Sequence, residues 1–159
     1  MSSIERRLQR LEDERAILRT LHRYGHAIDA GDEAAWLDCF TDDATFSARG
    51  QREGQTTFSV TGRAALAELI AGMSRRPFAF HSHCVVDPLI DLDGDEAHVE
   101  SYLFVLQEHD GAPVLRLFGR YHDELVRGAD GRWRFRARAS TVDAMDTELP
   151  ALVGAHGTS

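Results

Sequence analysis

Four alternating runs, each bounded by a turn signal, fill the second half of the chain and limit what it can fold into. Phe80–Leu92 is the first run and stops at Asp93-Gly94-Asp95. Ala97–Glu108, rich in Val, Tyr, Leu and Phe, stops at His109-Asp110-Gly111. Val114–Val126 stops at Gly128-Ala129-Asp130-Gly131, and Arg132–Val142 is the last. Asp and Gly between runs of β-branched and aromatic residues mark tight turns, because both tolerate the left-handed backbone that a hairpin needs. The expected result is a meander of four long antiparallel strands.

The first half follows a different period. Ile4, Leu8 and Leu11, then Ile17, Leu21, Tyr24 and Ile28, recur at helical spacing, with charged residues on the other faces. One helix is therefore expected over residues 4–29. Gly31 is placed to cap its end, and Asp32 to open a second, short helix over 33–40. Trp36, Cys39 and Phe40 form the apolar side of that helix. Thr41-Asp42-Asp43 reads as a turn, residues 44–48 and 58–60 as two strands, and 49–55 as the hairpin loop between them. A third helix is expected over 63–74, ended by Arg75-Arg76-Pro77. Runs of helix followed by runs of strand define the α+β class. A long curved sheet wrapped around helices leaves a cavity at one end. We expect one domain over residues 1–146, with 147–159 a flexible tail placed to act as a flap.

Composition narrows the function. A net charge of −8 argues against a nucleic-acid surface, which shows as a basic excess. No apolar run approaches the roughly 18–20 residues that span a bilayer, and the N-terminus lacks a secretory h-region. Cys39 and Cys84 have no metal-type spacing and read as reduced thilos of a cytoplasmic protein. Phosphate loops, dinucleotide fingerprints, nucleophile elbows and zinc motifs are absent, so no cofactor is expected.

Candidate chemistry rests on a few residues. Asp29 stands at the C-terminal end of the first helix, where a carboxylate opposes the helix dipole. It is either a solvated turn residue or an acid with a partner. His81 and His83 share one side of a strand, with Val85, Asp87 and Leu89 continuing that side. The pair has the donors for a metal but needs a third ligand, such as Asp29 or Asp87, and no recognised metal spacing flanks it. One histidine alone suits a general base, with a carboxylate on its other nitrogen fixing the tautomer. A histidine bonded to backbone in the core is the plain alternative. Tyr24 belongs to the apolar stripe and packs in the core or offers its hydroxyl to a cavity. Arg134, Arg136 and Arg138 alternate on one face of the last strand, and a bulge would change that count.

Several phrases, in order, resemble the SnoaL-like branch of the nuclear-transport-factor-2-like superfamily. They are Tyr24-Gly25-His26-Ala27-Ile28-Asp29 followed by Trp36, Phe40 to Phe46, His83 to Asp87, Ile90 to Ala97, and Gly119 to Asp123 leading to Asp130 to Arg134. The resemblance implies a cone-shaped α+β barrel, with N-terminal helices packed in a curved, mainly antiparallel sheet. It implies a homodimer or homotrimer. The pattern of residues is similar to the Asp–His dyad of bile-acid 7-dehydratases, hexachlorocyclohexane dehydrochlorinase and scytalone dehydratase. On that likeness Asp29 is the dyad acid, His83 the base, and Tyr24 and Arg138 their catalytic companions. Asp87 departs from the family's frequent Asn. The implied function is a lyase or isomerase without cofactor or metal, acting on a hydrophobic small molecule. Trp36, Phe46, Phe80, His81, Leu103 and Phe118 are the expected substrate-binding residues. A polyketide cyclase or ketosteroid-isomerase-like enzyme, and a non-catalytic binder or oxygenase accessory subunit, are the alternatives.

Overall fold

The computed structural model describes residues 2–50, 57–73 and 80–148. The chain runs α1 (Ser3–Ala30), α2 (Glu33–Leu37), β1 (Phe40–Gly50), β2 (Thr57–Thr61), α3 (Arg63–Gly72), β3 (His81–Asp93), β4 (Glu96–His109), β5 (Ala112–Arg127) and β6 (Trp133–Met145). Residues 51–55 of the expected hairpin loop, the Arg75-Arg76-Pro77 stop and most of the C-terminal tail lie outside the described residues, whereas residues 49 and 50 belong to β1 and not to the loop. No helix among those described is long and apolar enough to cross a membrane.

Local chemistry sets the helix ends. Ser2 and Glu5 form a reciprocal capping box that satisfies two of the first unpaired N–H groups of α1. Gly31, at φ 82°, closes the helix in the left-handed region, and its N–H donates to the Ala27 carbonyl. Asp32 then accepts from the Ala35 N–H at 2.9 Å and opens α2. The burial of α1 is uneven. Ile17, Leu21, Tyr24 and Ile28 are buried, whereas Ile4, Leu8 and Leu11 remain exposed. The core begins to cover the helix near Asp13, which accepts from Trp133 Nε1 and Arg127 Nη1, each at 3.1 Å.

The sheet has six strands in the order β2-β1-β6-β5-β4-β3. Four neighbouring pairs are antiparallel, and β1 with β6 is parallel. The expected meander is β3 to β6. The sheet is curved and mixed but open, with β2 and β3 as its edges, so the expected barrel is corrected to an open sheet. Two further expectations change here. α2 ends at Leu37, short of residue 40. Thr41-Asp42-Asp43 is not a turn but an irregular stretch of β1, where pairing jumps from Phe40 opposite Phe135 to Thr45 opposite Ala137.

Tyr24, Trp36, Phe40, Phe46, Tyr121 and Phe135 interlock between α1, α2 and the inner sheet face. Their centroids lie 4.6 to 6.5 Å apart in tilted and edge-on pairs, the spacing aromatic quadrupoles favour. This cluster anchors the helices to the sheet.

Candidate active site

Asp29 does have a partner. The main-chain N–H of His83 donates to both carboxylate oxygens, at 3.1 and 3.0 Å. The His83 ring places Nδ1 2.8 Å from Asp29 Oδ1. These bonds offset the unfavourable placement of a carboxylate at a helix C-terminus. His81 stands beside them, with Nε2 3.7 Å from the same oxygen. The two imidazoles are 5.5 Å apart and nearly perpendicular.

Gly25 lets the helix and strand come this close. A Cβ on Gly25 would stand 2.8 Å from the His83 carbonyl oxygen, which belongs to backbone and cannot swing aside. Gly25→Ala should therefore push β3 off α1. We expect a loss of about 1–3 kcal/mol in denaturant unfolding, with a larger proportional loss of any dyad-dependent activity. An unchanged midpoint would show that the contact is slack.

Leu21, His22, Gly25, His26, Asp29 and residues 82–85 line an open cleft of about 400 Å³ beside the dyad. Beyond it the strand changes sides. Asp87 has φ 49°, and the pairing of β3 with β4 shifts between Val86 and Leu89. His81, His83 and Val85 share a side as expected, but Asp87 and Leu89 do not continue it. Both are exposed, and Ile90 and Leu92 pack on the core in their place. The bulge removes Asp87 from the site.

A second bulge reorients the arginines. Phe135 pairs with Leu125 but Ala137 with Glu124, so Arg136 is an extra residue in the ladder. Arg134 and Arg136 point outward to acids, Arg134 to Asp130 and Arg136 to Glu96 and Glu124. Arg138 turns inward and is 1% exposed. The expectation that all three share a face is thus corrected. The Arg138 guanidinium carbon lies 4.0 Å from the Tyr24 ring centroid, 3.6 Å from that of Tyr121 and 4.5 Å from that of Phe135. Its Nε is 3.3 Å from Asp123 Oδ1, the residue opposite it in the ladder. Among the described residues neither side chain makes a well-oriented hydrogen bond.

Asp123 is the residue that sequence reasoning missed. The signal was available, since Asp123 alternates with Tyr121 and Leu125 on an apolar strand face. Burial raises its carboxyl to about 7, against the lowering pull of Arg138. Burial likewise raises the Tyr24 hydroxyl above its usual range, again opposed by Arg138. A carboxyl raised in the folded state binds its proton more tightly there than in the unfolded chain. Its stabilising contribution is full below the ordinary carboxylate range and is lost as pH rises to about 7. Asp130 works in a lower window, because Arg134 holds its carboxyl down at about 2. We expect chemical denaturation to show stability falling between about pH 4 and 7, and Asp123→Asn to flatten that slope.

The predicted site residues thus fall into two groups. Asp29, His83 and His81 meet at the α1–β3 contact, whereas Tyr24 and Arg138 meet in the aromatic core. Trp36, Phe46 and Leu103 are buried in that core. Phe80 is 70% exposed and borders a shallow groove with His81 and Leu106. Phe118 pairs with Phe104 on the outer sheet face, opposite in direction to Leu103, so these two cannot line one surface.

None of the curated proteins compared matches the chain significantly. Solved structures do. A Mycobacterium tuberculosis protein of unknown function, Rv3472, shares 27% identity over 85% of this chain and 79% of its own, with a TM-score of 0.71. An NTF2-like protein with a cystatin-like fold from Novosphingobium aromaticivorans shares 23% identity over 95% of each chain, with a TM-score of 0.74. The beta subunit of a putative aromatic-ring-hydroxylating dioxygenase from the same organism shares 21% identity over 86% of this chain and 92% of its own, with a TM-score of 0.72. The family model for the SnoaL-like domain matches residues 9–139. With helices packed on a curved sheet and this match over most of its length, the chain belongs to the SnoaL-like domain family.

Proposed function

We propose that the chain is a cofactor-independent lyase or isomerase that acts on a hydrophobic small molecule through Asp29 and His83. The observation that supports this reading is the 2.8 Å contact between His83 Nδ1 and Asp29 Oδ1. A carboxylate there favours the tautomer with the proton on Nδ1 and leaves the Nε2 lone pair to act as base. Nε2 takes a proton from carbon, and the C–H electron pair becomes the new C=C bond. The leaving group departs with its own pair from the adjacent carbon, or, in an isomerisation, the proton returns elsewhere. Asp29 steadies the imidazolium that forms. Tyr24 and Arg138 are buried in the aromatic core and do not line the cleft, so they take no direct part in this step.

Asp123 supports a second reading. A carboxyl raised to about 7 can exchange a proton at neutral pH, and in this reading it replaces histidine as principal base in a mass-neutral, ketosteroid-isomerase-like or cyclase reaction. Product mass separates the two. The test offers apolar β-hydroxy and β-halo carbonyl compounds and β,γ-unsaturated ketones. Loss of water or halide, with a primary deuterium isotope effect at the abstracted carbon, supports the lyase. Rearrangement that survives His83→Ala but not Asp123→Asn supports the second reading and removes the first.

Self-association belongs to the same proposal. Tyr102, Leu106, Leu115 and Phe118 leave an apolar strip exposed on the outer sheet face. Sedimentation of wild type against Leu115→Glu tests whether that strip joins copies of the chain.

A further inference from the structure

Beyond this reading, the geometry points to a site for one divalent transition-metal ion, such as Zn²⁺, formed by Asp29, His81 and His83. One ligand atom from each lies within 4.8 Å of the others. Asp29 Oδ1 stands 2.8 Å from His83 Nδ1 and 3.7 Å from His81 Nε2. Ligands held about 2.0–2.1 Å from a tetrahedral zinc stand about 3.3 Å apart, so these two separations bracket the required value. The third separation, between the two imidazole nitrogens, lies within 4.8 Å and closes toward about 3.3 Å by side-chain rotation when an ion binds.

Several features favour an ion here. The three side chains are half-buried, with 12%, 14% and 23% of the His81, His83 and Asp29 side chains exposed. The histidines project from one side of β3, and the helix end brings the carboxylate to them. The His83 main-chain N–H already orients that carboxylate, as outer-shell groups do for metal-binding acids. The cleft beside the group leaves room for a fourth ligand from solvent. Two imidazoles and one carboxylate suit zinc, cobalt, nickel or ferrous iron and suit magnesium or calcium poorly. The spacing of residues did not disclose the site because the third ligand comes from a helix far away in sequence. Of the two acids considered for that place, Asp87 is carried away by the β3 bulge.

Binding an ion between His83 Nδ1 and Asp29 replaces the proton they share, which is released to solvent. The loaded site and the free dyad are therefore alternative states of the same three residues, and zinc would inhibit a His83-dependent reaction.

The test uses full-length protein without a histidine tag, stripped with chelator and then titrated with Co²⁺. We expect one ion per chain, visible absorption bands of a low-coordinate cobalt centre, and displacement by Zn²⁺ but not by Mg²⁺. His81→Ala should weaken binding at least about ten-fold, since outer-shell losses alone cost 10–100-fold. His81→Gln serves if the alanine variant shows an altered circular dichroism spectrum. His22→Ala/His26→Ala, which changes the other histidines of the cleft, should bind normally. Absence of saturable binding below about 1 mM, or affinity lost in the His22/His26 variant and retained in His81→Ala, overturns the site. Metal binding together with no turnover by the metal-stripped protein sinks the lyase alone, and turnover without metal binding sinks the ion site alone.

Discussion

His83→Ala is expected to lower turnover by about 10²–10⁴-fold, the usual worth of a positioned general base. Little of that loss should come through folding. The alanine keeps the main-chain N–H, and that N–H makes two of the three bonds to Asp29. The dyad therefore separates chemically from the helix–strand contact. Deleting the ring removes the base, whereas Asp29→Asn keeps an acceptor for the backbone and removes the charge that steadies the imidazolium. We expect Asp29→Asn to lower kcat more than it raises KM, because its main effect falls on the transition state. Near-full turnover in both dyad variants would falsify the assignment.

The pairing of Asp29 with His83 was only partly legible in the sequence. The misfit of an acid at a helix C-terminus is a local signal, and so is a histidine on an alternating strand. That the two meet depends on Gly25, whose missing side chain admits the His83 carbonyl, and a glycine gives no sign of what approaches it. The meander from β3 to β6 could be read because each turn carries its own Asp or Gly. The parallel pairing of β1 with β6 could not, since it joins residues about ninety apart and no turn marks it. Bulges account for most of the remaining differences. One at Asp87 releases Leu89 to solvent, and one at Arg136 sends Arg138 inward. Each inserts a residue that reverses every later side chain, and strand parity counted along a sequence has no means of detecting it. Asp123 was missed for a simpler reason. Its neighbours on the inner face mark a core strand, and an acid on such a face carries no local sign of the arginine that pairs with it across the ladder.

That arginine gives the largest expected effect on stability. Arg138→Met should cost about 3–5 kcal/mol, because it leaves Asp123 buried without its countercharge. The loss should be smaller at low pH. With Arg138 absent, nothing opposes the burial that already raises Asp123 to about 7, so its carboxyl moves higher still and stays neutral over a wider range. A neutral acid is cheaper to bury than an ion. The double replacement Arg138→Met with Asp123→Val should regain much of the stability, since an apolar pair of similar volume often equals a buried ion pair. Denaturant midpoints of the wild type, the two single variants and the double variant form a cycle that measures the coupling. A double variant that is stable yet inactive would mean that the pair is kept for chemistry, at a cost in folding energy. A double variant both stable and active would reduce Arg138 to a packing residue, because the aromatic cage around it would then work without its charge. Arg138 stacks on Tyr24 at 4.0 Å, is buried in the core and does not line the cleft beside the dyad, which favours the second outcome.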